Sequence, residues 1–235
     1  MSTVKRIMKL SRRLPIHPQW LLGTRKPDPA ICKLQGTVLD VGCADRWIER
    51  RLAPGTMYIG LDYPPTGSTL YSVKADVLAD AASLPFASSS VDAIVCLEVL
   101  EHTRDHRAAL HEFSRVLKPR STLVLSMPFM YPIHDAPHDY QRLTEHGLRR
   151  DIAAAGFEIV RLKKNGHSLR TAGLLFNLAL AGGLYTRRRK IGYFMLPFAA
   201  ILVLFVNIAS LALSWMLPDW NALGFGYEVE AVKPR

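Results

Sequence analysis

The chain has 235 residues, enough to bury a full core, and this length favours one catalytic-size α/β domain with an elaboration over two independent domains. Its formal charge of +10 implies an anionic surrounding, but the basic residues gather at Lys5 to Arg13 and Arg187 to Lys190 without striping one element, which favours a membrane surface over nucleic acid. Cys32, Cys43 and Cys96 match no zinc or redox spacing, which excludes a disulfide framework and suits a reducing compartment.

In the basic lead-in, residues 1–35, Val4, Ile7, Met8, Leu10 and Leu14 are interrupted by Lys5, Arg6, Lys9, Arg12 and Arg13, so no continuous apolar core of a signal peptide forms. The stretch reads as a basic amphipathic helix suited to anionic lipid, or as an exposed basic terminus. After Pro15, Pro18, Pro27 and Pro29, β-branched runs alternate with helix-compatible stretches, the pattern of a parallel sheet with crossover helices. Strands are predicted over Thr37 to Val41, Met57 to Leu61, Val73 to Ala79, Val91 to Leu97, Ser121 to Met127, Phe157 to Leu162 and Gly226 to Val232. Helices are predicted over Arg46 to Leu52, Asp105 to Leu117 and Thr144 to Ala155, the last closed by Gly156.

The turn after the first strand, Asp40-Val41-Gly42-Cys43-Ala44-Asp45, places a glycine where free backbone N–H groups meet a ligand. Ala44 and Arg46 stand where a dinucleotide motif needs glycines, and Asp40 precedes Gly42 by two. That carboxylate repels a pyrophosphate and welcomes a cationic ligand without phosphates. Asp62, at the end of the second strand, is placed to accept both hydroxyls of a ribose, or else is a turn residue.

Val38-Leu39-Asp40-Val41-Gly42-Cys43, Leu84-Pro85-Phe86, Val91-Asp92-Ala93-Ile94 and Glu98-Val99-Leu100-Glu101-His102 resemble, in order and spacing, the class I methyltransferases of the small-molecule type. The resemblance implies a Rossmann-like, seven-stranded, mostly parallel α/β sheet with an antiparallel last strand, and S-adenosylmethionine as cofactor across the carboxyl ends of the first strands. It implies that Asp40, Gly42 and Ala44 line the methionine half and Asp62 holds the ribose. Asp80 meets the adenine amino group, with Asp76 as a competitor, Ala81 lies beside the ring, and the backbone of Leu97 faces the amino-acid end.

Methyl transfer from a sulfonium is an in-line displacement, so the enzyme aligns the acceptor and removes its proton. His102 is a candidate base or acceptor-positioning group, or a structural hydrogen-bonding residue. The loop after the fifth strand, Pro128 to Arg142, is richer. Its Pro137-His138-Asp139-Tyr140-Gln141-Arg142 resembles a Pro-x-Asp-Tyr-x-Arg segment of methyltransferases encoded with glycan and lipid assembly enzymes. His134, His138 and Asp139 are candidate bases, while Tyr131, Tyr140 and Arg142 are candidates to position an anionic or sugar-like group. The alternative is a loop that locks itself through its own hydrogen bonds. No metal is expected on His134-Asp135 or His138-Asp139, which lack a helical i, i+4 frame and sit among prolines.

Ile191 to Leu217 carries no charged residue and exceeds the roughly 20 residues that span a bilayer. If Gly226 to Val232 is the last strand of the same sheet, the chain must return to the side it left, so the apolar insertion over residues 171–217 crosses twice or not at all. The tetrabasic link Arg187 to Lys190 and the interruptions at Pro197 and Asn207 favour a pair of helices dipping into one leaflet. A hydrophobic lid or dimer face is the soluble alternative, and a domain ending at Leu162 with a C-terminal anchor is another.

The sequence thus predicts a membrane-associated methyltransferase on a cytoplasmic face, acting on an oxygen ahead of a nitrogen of a small-molecule, lipid-linked or glycan acceptor. The competing class is a non-catalytic scaffold that keeps the fold and uses the insertion for assembly. An NAD oxidoreductase is disfavoured by the missing G-x-G-x-x-G.

Overall fold

The computed structural model of the chain describes residues 12–23, 28–64, 75–186 and 189–235, the side chains of 185–194 excepted. It divides into two compact units, one of residues 27–129, 133–163 and 226–235, the other of residues 1–26, 130–132 and 164–225.

The first unit is built on a seven-stranded sheet: β1 (Thr37–Val41), β2 (Met57–Asp62), β3 (Val77–Leu78), β4 (Val91–Leu97), β5 (Leu117–Pro128), β6 (Glu158–Asn165) and β7 (Gly226–Val232), in the order β3-β2-β1-β4-β5-β7-β6. The first five strands pair in parallel, and β7 lies antiparallel to β5, with Leu125 opposite Val229. Because β2 and β4 flank β1 on opposite sides, the strand order reverses at β1, and the crevice beyond the carboxyl ends of β1 and β4 is the switch point where ligands bind in open α/β sheets.

Val38, Leu39 and Val41 of β1 and Ala93 to Cys96 of β4 are fully buried, the continuous apolar run of a central parallel strand covered on both faces. Helix α1 (His106–Val116) sets Leu110, Phe113 and Val116 into this core, spaced three apart on one face, and Asp105 caps it by accepting the Ala108 N–H at 2.9 Å. Helix α2 (Glu145–Ala154) buries Leu148 and Ile152, and it ends at Gly156 with φ +86°, a left-handed position that favours glycine. Two predicted elements differ. The helix over Arg46 to Leu52 is a single 3-10 turn, Glu49–Arg51, because Ala44 and Arg46 both take left-handed φ and break the helical path. Of the strand predicted over Val73 to Ala79, the first part lies outside the described residues and the rest reduces to Val77–Leu78.

The second unit is dominated by helices α3 (Ser168–Thr186) and α4 (Arg189–Met216), so the chain does carry a hydrophobic helical insertion between β6 and β7. Since β7 pairs within the sheet, the alternative of a domain ending at Leu162 with a loose C-terminal tail falls away. The two helices run antiparallel. Arg170 Nε donates to Ser214 Oγ at 2.8 Å, Gly173 packs on Ser210, and Asn177 Nδ2 donates to Asn207 Oδ1 at 2.8 Å. Asn177 and Asn207 are fully buried, and Asn207 also donates to the carbonyl oxygen of His17 at 3.1 Å. Asn207, read from sequence as an interruption, is therefore the residue that joins the hairpin to the lead-in. Met195–Met216 of α4 is long and apolar enough to cross a membrane by length and composition, with a mean hydropathy of 2.4, yet only 17% of it is buried. The predicted N-terminal basic helix and Arg187-Arg188 lie outside the described residues.

Candidate active site

The loop after β1 is folded by its own backbone. Gly42 has φ +73°, and the N–H groups of Gly42 and Cys43 donate to the carbonyl oxygen of Leu61 at 2.8 and 3.0 Å, tying the loop to the end of β2. Ala44 takes φ +46°, a conformation that costs a non-glycine residue about 1 kcal/mol. Its N–H donates to Asp62 Oδ2 at 3.1 Å, and the N–H of Tyr63 donates to Asp62 Oδ1 at 2.8 Å. Asp62 is buried and aimed by these two bonds, and each carboxylate oxygen retains a second lone pair for a ligand hydroxyl.

Asp40, also buried, accepts a 2.6 Å hydrogen bond from Tyr58 Oη. Burial and then the Asp40 charge drive the Tyr58 phenol well above its ordinary value, so it stays a donor to that carboxylate. Burial, reinforced by Asp40 and Asp62, raises the Cys43 thiol to about 12, and Cys43 packs under the loop as a neutral side chain.

The two candidate adenine acids separate clearly. Asp76 accepts from the Gly60 N–H and from Arg46, both at 2.8 Å, and the Arg46 bond holds its carboxyl below the usual range. Asp80 is exposed, and its side chain caps its own turn by accepting the Ala82 N–H at 2.9 Å. Ala81 is buried beside Leu84 in the core. Leu97 ends β4 opposite Ser126, and Glu98 follows with φ +57°, held by Ser126 Oγ donating to its Oε1 at 2.7 Å.

Beyond β4 the chain makes a 3-10 turn, Leu100–His102, which buries Glu101 completely. His102 Nδ1 lies 2.6 Å from the carbonyl oxygen of His138, so that nitrogen carries the proton and Nε2 is left as an acceptor. His134 meets His102 edge to face, with ring centroids 4.8 Å apart. The Nε2 atoms of His102 and His134 lie 3.6 and 3.9 Å from Glu101 Oε1. Burial, and then the nearby Glu98, push the Glu101 carboxyl up to about 9.

Asp139, expected as a base, is instead clamped by Arg142, whose Nη1 and Nη2 lie 2.5 and 2.7 Å from its two oxygens, and it also accepts the His134 N–H at 2.9 Å. The Arg142 bonds hold its carboxyl at about 2, too weak a base for an alcohol. Arg142, expected to grip an anionic substrate, spends both terminal nitrogens on Asp139. Tyr140 carries its hydroxyl 3.2 Å from both Arg104 Nε and His138 Nδ1. Tyr131 falls in the other unit and accepts from Gln19 Nε2 at 2.7 Å. Sequence reasoning missed Glu101 and Gln141. Gln141 locks the turn by donating to the carbonyl oxygens of Leu100 and Thr103. An acid beside His102 directly after a buried strand was the available signal for Glu101.

A methyltransferase-domain family model matches residues 39–125. The chain is 28% identical over 209 residues to an O-methyltransferase, cnsE, of Penicillium expansum, covering 76% of this chain and 71% of that protein. It is 33% identical over 102 residues to a ubiquinone biosynthesis O-methyltransferase of Xanthomonas campestris, where the match spans 38% of this chain and 41% of the relative. Among solved structures, an S-adenosylmethionine-dependent methyltransferase of Archaeoglobus fulgidus superposes with a TM-score of 0.53 at 16% identity, covering 99% of this chain and 95% of that one. The cyclase SpnF superposes with a TM-score of 0.52 at 19% identity, covering 97% and 80%, so the fold alone does not fix the chemistry.

The donor set suits the cofactor. Three carboxylates stand at the ends of β1, β2 and the β3 turn, and the loop's basic side chain, Arg46, is committed to Glu49 and Asp76, so a cationic adenosyl ligand fits where a diphosphate does not. Sheet order, loop and the segment matched over residues 39–125 support a class I S-adenosylmethionine-dependent methyltransferase.

Proposed function

We propose that the chain methylates a hydroxyl oxygen of a lipid-linked, glycan or other amphiphilic acceptor at the cytoplasmic face of a membrane. The observation that carries the oxygen chemistry is the His102 imidazole. Its Nδ1–H is held by the carbonyl of His138 at 2.6 Å, and its Nε2 is left as an acceptor on the turn that packs against the cofactor loop through Val99. When bound, S-adenosylmethionine supplies a methyl carbon on a cationic sulfur, and the sulfur keeps the electron pair of the broken C–S bond.

This chain's residues do the rest. The Nε2 of His102 takes the hydroxyl proton as the oxygen lone pair forms the new O–C bond, and the 23% exposure of that side chain leaves it open to an acceptor. His134, 29% exposed and oriented by Asp139, is the second imidazole for positioning the acceptor oxygen. The names of the two curated relatives favour oxygen as the acceptor atom. The exposed apolar surface of α4 favours an amphiphilic acceptor met at a lipid surface.

The test incubates the purified chain with methyl-labelled S-adenosylmethionine and membrane lipid and glycan extracts, followed by mass spectrometry for addition of one methylene mass. Label in an O-methyl product, lost with Asp62→Ala and His102→Ala, supports the reading. Absence of saturable cofactor binding in calorimetry would sink it and leave the scaffold alternative, while binding without transfer to any lipid or glycan fraction would overturn the acceptor class.

A further inference from the structure

We propose that Glu101, His102 and His134 bind one first-row divalent transition-metal ion, of the Zn2+ and Mn2+ kind. Their three ligand atoms lie within 4.8 Å of one another, on two segments far apart in the chain. Glu101 is 0% exposed, and among the described residues no other residue hydrogen-bonds either carboxyl oxygen, an arrangement that calls for some other group to satisfy it. The imidazoles do not satisfy it, since 3.6 and 3.9 Å are too long for hydrogen bonds. Those separations come close to the roughly 3–3.6 Å between two donors that each sit about 2.0–2.2 Å from a shared ion. The widest separation in the group, up to 4.8 Å, must close by about an ångström, which a rotation of the partly exposed imidazoles can supply.

The outer partners are those a metal-bound imidazole requires. His102 is fixed at Nδ1 by the carbonyl of His138 at 2.6 Å, and His134 Nδ1 lies 3.3 Å from Asp139 Oδ2, itself clamped by Arg142. The first arrangement leaves the Nε2 lone pair of His102 for a metal, while His134 Nδ1 also lies 3.4 Å from the donor Arg142 Nη2, so His134 Nε2 would release its proton on binding an ion. Two imidazole nitrogens with one carboxylate favour Zn2+, Mn2+ or Co2+ over Mg2+, which prefers oxygen donors and water. Three protein donors also leave open positions, and the partial exposure of both histidines gives access to them. The pairs dismissed on sequence, His134-Asp135 and His138-Asp139, are not this site, which joins the turn after β4 to the loop after β5.

With the ion bound, His102 Nε2 is a ligand and no longer the proton acceptor, so the ion would hold the acceptor through its oxygen and lower the pKa of that hydroxyl, whose proton would pass to water; it would favour acceptors with oxygens on neighbouring atoms, as in a vicinal diol. That use rests on the O-methylation reading, whereas binding of the ion does not. The experiment therefore measures the metal alone: the full-length chain, stripped with chelator, is titrated with Co2+ and followed by its d–d absorption, then with Zn2+ and Mn2+ by equilibrium dialysis. One equivalent should bind. His134→Ala and Glu101→Gln should each weaken binding by about tenfold or more. His111→Ala, on the exposed side of α1, should leave it unchanged. His134→Ala alters a partly exposed loop residue, so retained circular dichroism keeps the comparison meaningful if Glu101→Gln unfolds. No saturable binding at millimolar Co2+, or binding unaffected by His134→Ala, would overturn the proposal while leaving the methyl-transfer test intact.

Discussion

Val99 lies against the open face of Gly42: a β-carbon built on Gly42 would sit 2.3 Å from Val99 Cγ2. The contact joins the cofactor loop after β1 to the turn after β4 that carries Glu101 and His102. It also explains why glycine is required on two counts, since Gly42 has φ +73°. Gly42→Ala should cost about 2 kcal/mol through strain and overpacking, and it should weaken S-adenosylmethionine binding by tenfold or more. Urea unfolding and calorimetry measure the two effects. The double variant Gly42→Ala with Val99→Ala should regain part of the loss, and no recovery would mean that backbone strain alone dominates.

The sheet was legible because β-branched runs such as Thr37 to Val41 and Val91 to Leu97 have one stable use, and the alternation in Gly226 to Val232 announced a strand with a second, more exposed face. The residues 46–52 were misread because nothing in Ala44 or Arg46 as residue types signals a positive φ; the conformation is imposed by the bonds from the loop to Leu61 and Asp62. The cofactor side of the site could be read because its carboxylates stand at strand ends, where chain order and space agree. The Glu101, His102 and His134 cluster could not, since it depends on how the loop after β5 folds back over the turn after β4. For the same reason Asp139 read as a free base, when Arg142 three residues on neutralises it.

Asp151 gives the fold an acid-sensitive joint between α1 and α2. It is buried and bonded to His106 Nε2 at 2.8 Å and Arg150 Nε at 2.8 Å. Burial works against its charge, but the bonds from Arg150 and His106 outweigh burial and hold the carboxyl at about 2. A carboxyl depressed in the folded state stabilises the fold above its unfolded value, near 4, and that contribution is lost as pH falls toward 2. Asp151→Asn should therefore lower the melting temperature at pH 7 and flatten its decline between about pH 4 and 2 relative to the parent. Parallel melting curves for the two proteins across that range would contradict the assignment.

The helical hairpin should depend on one amide. Asn207 accepts from Asn177 and donates to the carbonyl of His17 in a buried setting. Asn207 also donates to the Pro15 carbonyl, and since the His17 carbonyl keeps the Trp20 N–H, Asn207→Leu takes the partner from the Asn177 amide and from the Pro15 carbonyl, at a cost of about 2–3 kcal/mol. Adding Asn177→Leu removes one orphan and should restore part of the stability, while the carbonyl keeps the rest lost. Thermal unfolding of the three variants measures this, and equal stability of parent and Asn207→Leu would rule out the amide as a structural tie.

Phe198, Ile201, Phe205, Ile208 and Trp215 recur at spacings of three, four and seven along α4, one stripe exposed by 64%, 66%, 68%, 49% and 75%. Burying a side chain of this size in hydrocarbon is worth about 1.5–3 kcal/mol. A charge at two such positions removes that gain and adds a desolvation cost. Ile201→Glu with Phe205→Glu should therefore lower partitioning onto vesicles containing anionic lipid by about a hundredfold or more, with cofactor binding unchanged because the β1 loop belongs to the other unit. Co-sedimentation with vesicles measures the partitioning, and light scattering measures the state without lipid. A parent chain that ignores vesicles and instead forms a dimer lost in the double variant would replace the lipid surface with a second copy of the chain as the occupant of this stripe.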